Sequence, residues 1–64
     1  MTTTHERVVS AWTVDEAISL AKIDARAEGR RVRTVRSVAL ESPGDIARDV
    51  RPAYRVRLAV EPRP

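Results

Sequence analysis

Hydrophobic and polar positions alternate without error near the C-terminus. Tyr54, Val56, Leu58 and Val60 stand against Ala53, Arg55, Arg57, Ala59 and Glu61, the period of a strand with one apolar face and one face of arginine. Glu61-Pro62-Arg63-Pro64 is predicted to leave the ladder as an extended tail, because proline has no N–H to donate. Upstream, Arg31 to Glu41 reads as a second strand with a slip in its alternation: Val32, Val38 and Leu40 share one parity and Val35 has the other. That fits either a bulge near Val35-Arg36 or a strand apolar on both faces. Ser42-Pro43-Gly44-Asp45 is turn chemistry, and the loop from Pro43 to Pro52 is polar apart from Ile46 and Val50, which are expected to pin it down.

Between Val14 and about Glu28 the period is that of a helix. Thr13-Val14-Asp15-Glu16 has the spacing of a capping box, in which Thr13 accepts from the Glu16 N–H and the Glu16 carboxylate reaches back to the Thr13 N–H. Trp12 and Ala17 occupy the positions of a hydrophobic staple, and Gly29 can close the helix in the left-handed conformation. Val14, Ala17, Ile18, Ala21 and Ala25 form one apolar stripe, and Leu20, Ile23 and Ala27 form a second beside it. One small sheet needs only one stripe. The second is assigned either to a neighbouring subunit, making Leu20, Ile23 and Ala27 an oligomer interface, or to a wide apolar face wrapped by a twisted sheet.

Arg7 to Trp12 is short and β-branched and reads as a first strand, with Met1 to Glu6 expected to be mobile. The predicted fold is therefore α+β: a single β-α-β-β domain over residues 1–64, with a three-stranded, mainly antiparallel sheet packed on one helix.

Composition adds a stability problem. A chain of 64 residues with two aromatics and no Phe must build its core from Val, Ala, Leu and Ile. Chains below about 80 residues seldom obtain more than a few kcal/mol from one core. Absence of Cys excludes disulfides and thiolate metal sites, which leaves self-association as the remedy. It also fits a reducing compartment. The N-terminus lacks the layout of a signal peptide and no apolar run approaches a membrane span, so a soluble cytoplasmic protein without membrane contact is expected. The net charge is only +3, because twelve basic residues, eleven of them Arg, face nine acidic ones. The arginine excess, with no Asn or Gln present, suggests the coding bias of a GC-rich genome, and nucleic acid is a disfavoured partner.

Few residues offer chemistry. The single histidine, His5, falls in the segment expected to be mobile, and no nucleotide-binding or metal-binding motif occurs, so no catalytic residue, no metal site and no enzyme is expected. Asp24 and Glu28, one helical turn apart, are read as a salt bridge to an arginine or as a hard-cation site. Asp45 and Asp49 in the loop form a weaker acidic pair for Ca²⁺. Arg33, Arg55 and Arg57 are the ligand-binding candidates: they form either an anion-binding surface on the sheet or a solvated face paired with Glu41 and Glu61.

Three stretches taken together, Trp12-Thr13-Val14-Asp15-Glu16-Ala17-Ile18, Arg31 to Leu40 and Ala53 to Val60, resemble the dodecins in the order and length of their elements. That resemblance implies a small β-α-β-β protein of bacteria or archaea that assembles into a hollow homo-oligomer and binds a flavin, or in some members calcium or coenzyme A. Thr34-Val35 stand where the family's flavin-stacking tryptophan would lie, and no aromatic is present there. The helix-strand-strand portion also looks somewhat like PepSY domains, modules associated with secreted peptidases. The expected function is a non-catalytic homo-oligomeric binding or storage protein of dodecin-like type for a flavin or other small anionic ligand. A protein–protein interaction module using the helix face or a sheet edge is the alternative, and a weak nucleic-acid binder the third reading.

Overall fold

A computed structural model of the chain describes residues 1–62. In chain order the elements are β1 (Thr3–Ser10), α1 (Val14–Ala27), β2 (Arg30–Ser42), a short 3-10 turn (Ile46–Arg48) and β3 (Ala53–Pro62). The fold is α+β. β3 lies at the centre of a three-stranded antiparallel sheet of order β1-β3-β2, and α1 covers one face. β1 and β2 are both antiparallel to β3, so they run parallel to each other and α1 is the crossover between them. Among the described residues no helix is long and apolar enough to cross a membrane.

β3 holds the centre because its alternating residues supply the core. Val56, Leu58 and Val60 are fully buried beneath the helix, and Ala59 is buried on the opposite face. The slip in β2 is resolved by bulges. Arg33 and Arg36 are skipped in the pairing with β3, and each skip resets the parity. Val32, Val35, Val38 and Leu40 consequently stand opposite Val60, Leu58, Val56 and Tyr54, all on the helix side. A third skip at Glu41 brings the 13 residues of β2 into register with the 10 of β3.

The ends of α1 follow from local chemistry. Thr13 Oγ1 accepts from the Glu16 N–H at 3.1 Å, and Gly29 turns the chain out with φ of +76°. The reciprocal half of the predicted capping box is replaced: the Glu16 carboxylate lies 3.6 Å from the Arg51 guanidinium. Arg51 also sits over the Trp12 ring, 5.7 Å from its centroid, and so ties the β2–β3 loop to the start of the helix.

The helix buries only alanines. Ala17, Ala21 and Ala25 are fully enclosed with Ala11 and the β3 side chains, so backbone and sheet approach closely. A larger side chain there has to displace enclosed neighbours. Ala21→Leu is expected to cost about 1–3 kcal/mol through overpacking, read as a lowered urea midpoint; an unchanged midpoint would show a looser helix–sheet contact.

Three sequence expectations are overturned. Thr3 to Glu6, taken as mobile, belong to β1 and pair with Val60 to Arg57. Glu61 and Pro62, taken as tail, pair with Arg31 and Arg30, at the end of β3 where a missing N–H costs least; Arg63 and Pro64 lie outside the described residues. Ile46 does not pin the loop, being 84% exposed, and Val50 is half-exposed. The loop is held by backbone bonds in both directions between Asp45 and Val50, and by the Asp45 carboxylate, which accepts from the Ala47 N–H at 3.1 Å. Gly44 closes it at φ +68°, where a Cβ would stand 2.5 Å from the Val50 carbonyl oxygen, so Gly44→Ala is expected to open the loop.

Candidate functional site

Polar chemistry collects in two places. The first is the seam between β1 and α1. His5, Arg7 and Val9 share the inward parity of β1, and that parity places His5 opposite Leu58 under the helix, where it is 1% exposed. Its Nε2 lies 2.8 Å from Asp24 Oδ2 and its Nδ1 lies 3.1 Å from an Arg30 guanidinium nitrogen. Arg30 has only donors, so Nδ1 accepts and Nε2 carries the proton that it donates to Asp24. Arg7 completes the seam: its Nε is 2.9 Å from Asp24, and its terminal nitrogen pairs with Glu28.

Donor atoms of His5, Asp24 and Glu28 lie within 4.8 Å of one another, the convergence a metal ion would require. Here the Arg7 guanidinium bridges the two carboxylates and Arg30 takes the remaining imidazole nitrogen. The cation of this cluster is an arginine from the sheet. Sequence reasoning reached the pair Asp24–arginine but missed His5. Its signal was present in the inward parity running back from Val9 through Arg7, without apolar residues to mark it.

The second place is the face of the sheet away from α1. Arg55 and Arg57 project there from β3, and Glu6 of β1 stands between them, with Arg57 Nε at 2.5 Å and an Arg55 guanidinium nitrogen at 2.9 Å. Arg55 Nε also pairs with Glu41, and Arg33 Nε lies 3.2 Å from Glu61. The three sequence candidates, Arg33, Arg55 and Arg57, are thus on one face, each holding a carboxylate. Glu41 and Glu61 were foreseen as partners; Glu6 was not, because it was placed in a mobile segment.

Hydrogen bonding from Arg57, with the nearby charges of Arg57 and Arg55, holds the Glu6 carboxyl below the ordinary glutamate range, while the bond to Glu41 pushes Arg55 further up. A depressed folded-state pKa stabilises the fold above the unfolded value, and that stability is lost as pH falls through the folded one. The urea midpoint is therefore expected to drop on acidification below the usual glutamate range, with a shallower fall in Glu6→Gln. Equal slopes in both proteins would show that this network contributes nothing.

Leu20, Ile23 and Ala27 lie on the outer flank of α1. Asp24 points at β1, Ala21 and Ala25 point at the sheet, and successive steps of 100° turn the stripe past β1 towards solvent. Ile23 is 59% exposed and Leu20 38%. Among the described residues the chain encloses no cavity. Comparison with protein-family models, curated proteins and solved structures returns no match for this chain.

Proposed function

We propose that this protein is a non-catalytic, self-associating binding module that works as a homo-oligomer. The observation that carries this reading is the inversion of side-chain size on α1. The helix gives three alanines to its own sheet and leaves Leu20 and Ile23 outside. An apolar flank on so small a domain is more economically explained by a partner surface than by exposure alone. The non-catalytic part is supported by the enclosure of the single histidine, which is out of reach of a substrate and bonded on both nitrogens.

Sedimentation equilibrium or native mass spectrometry tests the reading. The expected result is a mass that is a multiple of 7.2 kDa, reduced to the single-chain value by Leu20→Glu or Ile23→Glu with helix content retained. An unchanged mass in both variants overturns the role of the stripe. A single-chain mass for the unaltered protein overturns self-association and favours the alternative, a module that docks a different protein.

Storage of a flavin or another small anionic ligand is the finer reading, suggested by the likeness to dodecins and supported here by the common face of Arg33, Arg55 and Arg57. Such a ligand has to displace Glu6, Glu41 or Glu61 from its guanidinium. Titration with flavin mononucleotide is expected to show binding that Arg57→Ala weakens; no binding removes the ligand and leaves the assembly.

A further inference from the structure

We propose that β1 and the outer flank of α1 form one self-complementary surface that takes a second copy of this chain. In that pair the two sheets join edge to edge through β1 into six strands, three from each chain, with the two α1 helices antiparallel above them. The inference rests on the self-association proposed above and specifies where it occurs.

The two edges of the sheet differ. β2 carries three bulges, the irregularity by which exposed edges are kept from pairing. β1 pairs with β3 over eight residues with no register shift, contains no proline, and has its other side open. A regular open edge is a template for another strand, because its outward N–H and C=O groups lack partners. The apolar stripe lies on this same side: Asp24, the helical residue directed at β1, is flanked by Leu20, Ile23 and Ala27.

Two-fold symmetry suits both elements. A two-fold axis perpendicular to the sheet sets the two α1 helices antiparallel, which opposes their dipoles favourably. In an antiparallel β1 pair, avoiding like charges directly opposite narrows the register, and among those left the one centred on Val8 sets an exposed apolar side chain against its copy. An axis at Glu6 faces Glu6 with its copy, and one at Arg7 does the same for Arg7. An axis at Val8 sets Val8 against Val8, Glu6 against Ser10 and Arg7 against Val9, without a like-charge pair. Val8 is 53% exposed on the face away from the helix. The cluster of Arg7, Asp24, Glu28 and Arg30 that the joint would cover is already internally paired.

The chain has no cysteine, which makes single-cysteine cross-linking a clean test. Residues opposite in an antiparallel pair have Cα atoms about 4.5–5.5 Å apart, within disulfide range. Under diamide oxidation at micromolar concentration, Val8→Cys is expected to form covalent dimers faster than Ser37→Cys, on β2, by about two orders of magnitude, the gain from a millimolar effective concentration. Adding Leu20→Glu to Val8→Cys is expected to return the rate to that of Ser37→Cys. Equal rates for the two single variants, with an oligomeric native mass, overturn this surface and leave self-association standing elsewhere. A single-chain mass overturns both. Hydrogen exchange on the unmodified protein gives an independent reading: amides of Thr3 to Ser10 are expected to gain protection as concentration rises. Protection that stays constant while the mass is oligomeric overturns the proposal.

Discussion

Replacing His5 with alanine is expected to destabilise the protein by about 2–4 kcal/mol, enough to leave a domain of this size largely unfolded. The imidazole is among the largest fully buried side chains, so its removal opens a hole between β1 and α1 that the neighbouring alanines cannot fill. It also removes two hydrogen bonds to charged groups, each worth about 1.5–3 kcal/mol when both partners remain buried. Asp24 retains Arg7, and Arg30 is half-buried and can turn to water, which keeps the sum near the middle of that range. His5→Gln, which preserves a donor and an acceptor on one side chain, is expected to recover part of the loss. Urea unfolding followed by circular dichroism, at one fixed protein concentration, reads both. A midpoint for His5→Ala equal to that of the parent would mean that the first half of β1 is not packed under the helix.

Leu58→Ala is expected to cost as much, about 2–5 kcal/mol. Leu58 lies on the central strand, fully buried, opposite His5 on one side and Val35 on the other. The helical residues in its cluster are alanines, and they have no length with which to fill the cavity. The same feature yields a sharper expectation. Ala21→Leu alone overpacks and Leu58→Ala alone leaves a void, so the double variant is expected to be more stable than the sum of the two losses, with a coupling of about 0.5–3 kcal/mol. Strict additivity would show that the two positions do not share a space.

The local elements were largely legible in the sequence because their causes are local. A capping threonine, a closing glycine and a 3.6-residue period fix α1 from neighbours along the chain, and the clean alternation from Tyr54 to Val60 fixes β3. The bulge at Arg36 was legible as a parity slip at Val35; the second, at Arg33, was not, because one slip conceals the other when Val32 and Val38 return to the same parity. The candidate site was hidden because the strand that supplies it carries no apolar residue in its first half. Thr3-Thr4-His5-Glu6 has none, yet it is half of β1 and provides two residues around which polar chemistry is organised: His5 beneath the helix and Glu6 among the arginines. Arg55 and Arg57 could be placed on one face from parity alone, but their carboxylate from β1 could not.

The sequence by itself determined the element order, the α+β class, the ends of the helix and the two apolar stripes on it, since each depends on residues a few positions apart. The tertiary structure alone decided that β3 is central, that β1 reaches back to Thr3, and that the alanine stripe packs inward while Leu20 and Ile23 face out. Those outcomes depend on contacts between residues far apart in the chain. Small side chains let the helix approach the sheet closely, and an isolated histidine becomes a buried one only when a strand edge, a helical aspartate and an arginine from the next strand meet around it.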